Sequence, residues 1–264
     1  MNMVLANDDA EAVVEPQSGG RLASLRVAGH DLLVPRASAP MQWGCYPMVP
    51  WAGRTRGGQF AWGGSKWSLP INMPPHAIHG TVFDRPWTGV GPHTLACNLG
   101  PEWPWPGEVR SEFGLEANAL SWRLEVRATD APFPAVVGWH PWFRRVLGTM
   151  GPGQLRFEAE RMHLRDAQGI PSGEFIVPPE GPWDDCFEGL NGPPEIRWPE
   201  GISLRVSSSC RHWVVYDEPQ HAICIEPQSG PPNALNTPSV EVVRPERPLV
   251  HSMRIEWTIG AEHH

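Results

Sequence analysis

Leu120, Trp122, Leu124 and Val126 alternate with Ser121, Arg123, Glu125 and Arg127, and a two-residue period sets every apolar side chain on one face of an extended chain. Met253, Ile255, Trp257 and Ile259 repeat the pattern against Ser252, Arg254, Glu256 and Thr258, and Ile202, Leu204 and Val206 do so more briefly. Half-buried strands of antiparallel sheets carry this signature. Gly63-Gly64 separates Phe60-Ala61-Trp62 from Ser65-Lys66-Trp67, which predicts a hairpin whose two-residue turn needs the positive φ that glycine adopts cheaply. No extended helical stripe interrupts the strands, and no segment repeats with a fixed period. The Pro-rich stretches 101–107 and 178–183 read as loops, because strand-like sequence resumes after each without a change in composition. The expectation is an all-β architecture of antiparallel sheets, with the 264 residues as one domain.

Composition sharpens this picture. The 31 prolines and 27 glycines exceed ordinary usage and supply turns between many short strands. A formal charge of −8 without a Lys/Arg block leaves no electrostatic footprint for nucleic acid or an anionic membrane, whereas a small neutral ligand is compatible with it. No run approaches the roughly 20 apolar residues of a spanning helix. The opening MNMVLANDDAEAVV is acidic where an export signal is basic and then apolar, so a cytoplasmic location is expected. Five widely spaced cysteines without a CxxC pair read as reduced and mostly buried. His263 and His264 resemble the start of a purification tag and are set aside from metal arguments.

Candidate chemistry lies in two segments. In Ala135–Phe143, a strand places Val136, Gly138 and His140 on one face, with Pro141 expected to halt regular pairing. In Ala222–Gly230, Ala222, Cys224 and Glu226 share a face and Pro227 is expected to close the strand. Small same-face neighbours leave room for a ligand, and an imidazole with a carboxylate provides the two partners of general acid/base catalysis. Local pattern alone fits a structural histidine and a solvated loop carboxylate as readily. His76 and His79 are spaced like metal ligands, yet no further close His/Cys group completes a set, so no metal is expected.

Five ordered blocks, Tyr46–Arg54 with Pro74–Gly80, Trp139–Phe143, Asp184–Phe187, Ile225–Ala234 and the opening Gly19–Leu25, resemble the aldose 1-epimerase (galactose mutarotase) family over nearly the whole chain. The resemblance implies a β-supersandwich with an open cleft for a monosaccharide and a cofactor-free exchange of anomers. It implies that Glu226 is the general base and His140 the general acid, flanking opposite sides of one hemiacetal. Arg54, His79 and Asp184 correspond to sugar-binding positions. Asp184 is preferred to the adjacent Asp185 because it lies three residues before Phe187, the family's spacing. Of 14 tryptophans, Trp51, Trp139 and Trp142 are candidates to stack on a sugar face. Gly53 and Val214 stand where galactose mutarotases often carry Asn and Gln, so galactose itself is not implied. Two alternatives stay open. A hexose-6-phosphate or other anionic-sugar epimerase would draw a guanidinium cluster from Arg56, Arg85, Arg144 and Arg145, and a non-catalytic carbohydrate-binding protein could share the fold.

Overall fold

A computed structural model describes residues 1–260, so the two terminal histidines lie outside the described residues. The alternating segments pair as their patterns predict. Ala119–Ala128 and Leu249–Ile259 run antiparallel with Leu120 opposite Ile255 and Trp122 opposite Met253, and Ile202–Ser208 docks on the other edge with Leu204 opposite Trp257. Their alternating apolar residues are buried except Ile259, which is exposed at its strand end, and Val250, outside the alternating run, is exposed as well. Glu125 departs from the pattern: it is buried, clamped by Arg123 and Arg127 at 2.5 Å each. These strands form the middle of an eight-stranded sheet in the order 88–91, 94–98, 107–115, 119–128, 249–259, 202–208, 195–197, 154–156.

The second sheet has eleven strands. Its path runs 3–6, 10–15, 21–27, 45–48, 138–144, 222–228, 212–216, 184–190, 159–165, 171–176, with 30–31 against 21–27. At its centre, every residue of Cys45–Met48 and Ala222–Gln228 is buried, and so are all of Gly138–Arg144 except Arg144. Strands covered on both faces lose simple alternation and become wholly apolar or functional. Trp139 points into the interlayer core, edge-on to Trp122 of the first sheet at 6.4 Å, which leaves His140 on the opposite face. The predicted hairpin joins Gln59–Trp62 to Ser65–Ser68 through Gly63 (φ 59°) and Gly64 (φ 79°). Helix among the described residues is limited to three short 3₁₀ turns, and no helix is long and apolar enough to cross a membrane. All five cysteines are buried free thiols.

Pro141 and Pro227 do not end their strands. Gly138–Arg144 and Ala222–Gln228 continue through them in a single register, with Gly138 opposite Gln228 and Trp142 opposite Cys224. No ladder pair forms between those two rungs. A proline contributes no N–H, and each of these two still pairs on its outer side, Pro141 with Cys45 and Pro227 with Trp213. The missing donors therefore fall on the shared side, and the ladder opens where His140 faces Glu226.

Leu124 is fully buried between the sheets. Leu124→Ala is expected to cost about 2–5 kcal/mol in urea unfolding, through lost burial and a residual cavity. A loss no greater than that of Val250→Ala, a half-exposed residue on the neighbouring strand, would contradict this packing.

Candidate active site

The opened ladder forms the floor of a cavity of about 290 Å³. Tyr46, His140, Glu226 and Val214 cross the floor as neighbours on four adjacent strands, since Tyr46 is opposite His140 and Val214 opposite Glu226. Directly opposed residues on antiparallel strands share a face, so all four point to the cleft. Arg54, His79, His140, Asp184 and Glu226 all line this one cavity.

His140 Nε2 lies 3.2 Å from Glu226 Oε1. The two are thus side by side, and the expected placement on opposite sides of a substrate is corrected: a bound hemiacetal must lie over both. Gln228 Nε2 donates to the other carboxylate oxygen, Oε2, at 3.2 Å, so each oxygen of Glu226 has its own neighbour. The His140 ring is stacked between Tyr46 (4.9 Å, 26°) and Trp142 (5.2 Å, 6°), with His79 edge-on at 5.1 Å. Such packing fixes the plane of the imidazole and leaves Nε2 as its working atom. Gln228 Oε1 and the Nδ1 atoms of His79 and His140 are buried without hydrogen-bond partners. Unpaired buried polar atoms are rare and cluster at functional sites.

Arg54 and His79 reach the cleft from a two-stranded ribbon in which Arg54–Thr55 pairs with Ala77–Ile78. His79 adopts a left-handed φ of 62°, and Gly80 beside it approaches Val49 so closely that a Cβ would sit 1.9 Å from the Val49 carbonyl oxygen. Asp184 opens its strand opposite Tyr216 and accepts from Arg165 Nη1 at 3.0 Å and Arg54 Nη2 at 3.5 Å. Asp185 pairs instead with Arg165 Nε at 2.9 Å and does not line the cavity. Of the tryptophan candidates only Trp142 lines it; Trp51 and Trp139 are buried in the core.

Tyr46, Tyr216 and Gln228 also line the cavity, and the sequence assigned none of them a role there. Gln228 was accessible by pattern, two residues beyond Glu226 and hence on its face. Tyr46 becomes visible only through the register of two strands far apart in sequence. Beneath them, the buried Arg21 guanidinium donates to the carbonyls of Ser18, Pro40, Trp43 and Phe83 and stacks on Trp43 and Tyr46. It thereby pins the 39–42 segment that forms one wall.

Burial controls the protonation of the site. Desolvation raises the Glu226 carboxyl well above 4.5, helped by the nearby Asp184 charge and opposed by the Gln228 hydrogen bond and Arg54. Desolvation lowers His140 well below 6.5, assisted by His79 and Arg21. His79 is pushed down to about 3, by burial first and then by Arg54. Burial penalises separated charges, so the Glu226–His140 pair favours its charge-free form with the proton on the carboxyl.

Two groups bring ligand-type atoms within 4.8 Å of one another: His140, Cys224 and Glu226, and His163, Glu188 and His212. In the second, both imidazole Nε2 atoms lie on one Glu188 oxygen, at 2.8 and 3.1 Å, while Arg161 holds the other. His76 does not join His79: its Nδ1 accepts from the Gly57 amide at 3.1 Å and its Nε2 faces the Gln168 carbonyl at 3.2 Å. None of Arg56, Arg85, Arg144 and Arg145 lines the cavity. Arg56 pairs with Asp166, Arg85 with Glu102, and Arg145 donates to the carbonyls of Asp217, Pro219 and Ala222.

The aldose 1-epimerase family profile matches residues 1–255. The Escherichia coli K12 protein YphB is 25% identical over 249 residues, spanning 81% of this chain and 84% of that one. Among solved structures, a galactose mutarotase-like protein from Clostridium acetobutylicum superposes with a TM-score of 0.85 at 16% identity, covering 97% of this chain and 94% of that one. The galactose 1-epimerase of Lactobacillus acidophilus NCFM gives 0.80 at 17% identity, covering 98% and 94%. At these identities the structural likeness establishes the fold.

Because burial opposes the imidazolium form, His79 is expected to stay neutral from pH 8 down to about pH 5, and His140 to gain its proton only below the ordinary 6.5, read from imidazole ¹⁵N shifts. An exposed imidazole titrates near 6.5. Protonation of either ring near that value would contradict its burial as the controlling influence.

Proposed function

We propose, from the premise that this chain belongs to the aldose 1-epimerase family, that it interconverts the α and β anomers of an aldose by opening and reclosing the ring. The observation that carries the reading is the convergence of five side chains, scattered between Arg54 and Glu226, on a single cavity in which a carboxylate and an imidazole lie 3.2 Å apart.

The two oxygens on an anomeric carbon, hydroxyl and ring oxygen, are bonded to the same atom. An acid and a base side by side can therefore serve both. Glu226 as carboxylate takes the proton of the anomeric hydroxyl while His140 as imidazolium donates to the ring oxygen, and the C1–O5 bond breaks to leave the open aldehyde. After this step the pair stands as carboxylic acid and neutral imidazole, the form that burial favours. Rotation about C1–C2 presents the other carbonyl face. Glu226 then returns its proton to the carbonyl oxygen as His140 takes back the hydroxyl proton, and the ring closes as the other anomer. The net change in the pair over a cycle is zero. In the free site the proton rests on Glu226, and its transfer to His140 across their own contact gives the ion-pair form that opens the ring and that reclosure restores. His79 and Arg54 stand where they can donate to substrate oxygens as charge develops, a role worth about 2.7–4 kcal/mol for a well-placed donor. Asp184, restrained by Arg54 and Arg165, accepts from hydroxyls remote from C1.

A neutral sugar fits better than an anionic one, since the arginines available for a phosphate are paired elsewhere or lie outside the cavity. A purely binding protein would have no need of the burial that brings Glu226 and His140 to complementary protonation.

Glu226→Gln and His140→Asn are each expected to slow anomer interconversion by at least about a hundredfold, measured by polarimetry on freshly dissolved sugar. Near-wild-type rates in either folded variant would refute the assignment. The competent pair carries one proton, so kcat/KM should trace a bell. Its acid limb, where His140 gains a second proton for the pair, should fall below 6.5, and its alkaline limb, where Glu226 loses the last one, above 4.5. A single-limbed profile would contradict the shared proton.

A further inference from the structure

Beside the cavity over Glu226 and His140 lies a second hollow of about 670 Å³. Arg54 and Met73 line both, so the two hollows adjoin at these residues. The hollow runs between Met73–His76 on one side and Arg165–Gly169 on the other. Its walls are tied together. His76 Nε2 lies 3.2 Å from the Gln168 carbonyl oxygen, and Arg56 donates to Gln168 Oε1 at 3.1 Å and Asp166 Oδ2 at 2.6 Å. Asp166 Oδ1 in turn accepts from the amides of Gln168 and Ile170 at 2.8 and 3.1 Å. The hollow is therefore held open by a fixed network, which lowers the ordering cost of filling it.

Its charges cancel locally. Arg54 and Arg165 are on Asp184, Arg165 is also on Asp185, and Arg56 is on Asp166. Three guanidinium groups thus meet three carboxylates, and no spare positive charge is directed at an anion. What remains is a set of hydrogen-bonding groups facing the apolar edge of Met73, Pro74 and Pro75, a lining suited to the mixed polar and C–H surface of a sugar ring.

Size and direction identify the occupant. Ligand pockets usually measure about 300–1,000 Å³, and the first cavity, at about 290 Å³, takes one ring. The anomeric carbon must face Glu226 and His140 and its hydroxyl must stay free, so a second unit has to be joined through another carbon of that ring, and the adjoining hollow offers it space. Building on the epimerase reading, we propose that the preferred substrate is a neutral reducing oligosaccharide, at least a disaccharide. Its reducing unit lies over Glu226 and His140, and the next unit sits between the 73–76 and 165–169 segments.

The test compares kcat/KM for a neutral monosaccharide, a reducing disaccharide and a hexose 6-phosphate, using the wild-type protein and Ala167→Trp. Ala167 is exposed, lines only the second hollow and has no part in the catalytic pair. The disaccharide should exceed the monosaccharide by at least about tenfold, because binding energy from a remote group is available at the reacting centre. Ala167→Trp should abolish that advantage while leaving the monosaccharide within about twofold, and the less bulky Ala167→Phe should give an intermediate loss. A disaccharide no better than the monosaccharide, or an equal loss on both with Ala167→Trp, would overturn the second subsite. A hexose 6-phosphate preferred above both would overturn the charge-balance argument and the proposal with it. Inactivity of the wild type on all three sugars would overturn the epimerase reading itself.

Discussion

Two strands that keep their register while forming no ladder pair across three residues each create the condition on which the cleft depends. A continuous ladder through the middle of an eleven-stranded sheet would satisfy every N–H and carbonyl there and leave the side chains ordinary roles. Pro141 and Pro227 remove donors on the shared side only, because both still pair outward. His140 and Glu226 then occupy a rung whose interaction is made by side chains. The same register brings Tyr46 and Val214 alongside, so one feature of backbone chemistry sets the floor of the cavity.

Burying that rung has an electrostatic consequence. An imidazole and a carboxyl each resist charging when desolvated, and their 3.2 Å contact makes them one unit that holds one proton. Ring opening converts the charged arrangement of this unit into the uncharged one, so the same burial that disfavours the starting form favours the form reached with the open aldehyde. Aromatic stacking and the Gln228 hydrogen bond fix the geometry within which the proton moves. Arg21 supports the arrangement from below without a carboxylate partner, satisfied by main-chain carbonyls and ring faces. Its charge adds to the pressure against a second positive charge on His140.

Much of this was legible in the sequence, and the parts that were not have a common cause. Strict alternation in 120–127, 202–206 and 253–258 identified the half-buried strands because one side of each faces the core. The Gly63-Gly64 turn was readable from φ requirements alone. The five ordered blocks supplied the family and all five cavity residues expected from it. Local rules failed at the prolines, where a missing N–H was taken as a strand end; in a sheet with two neighbours per strand, it can interrupt one side only. They failed also at Tyr46 and at the adjacency of His140 and Glu226, because both follow from register between strands some 80 to 100 residues apart in sequence. The core role of Trp139 shows the same limit, since position beside a site residue along a strand means the opposite face of the sheet.

The central claim is that this cleft opens and recloses a sugar ring by moving protons between oxygens alone. NMR exchange spectroscopy on a neutral reducing sugar in D₂O tests it most directly, by following the C1 protons of the two anomers together with the proton at C2. The account predicts exchange between anomers that rises in proportion to the wild-type protein, with no deuterium entering C2. Exchange no faster than in buffer, or deuterium at C2 as enolisation would require, would contradict it.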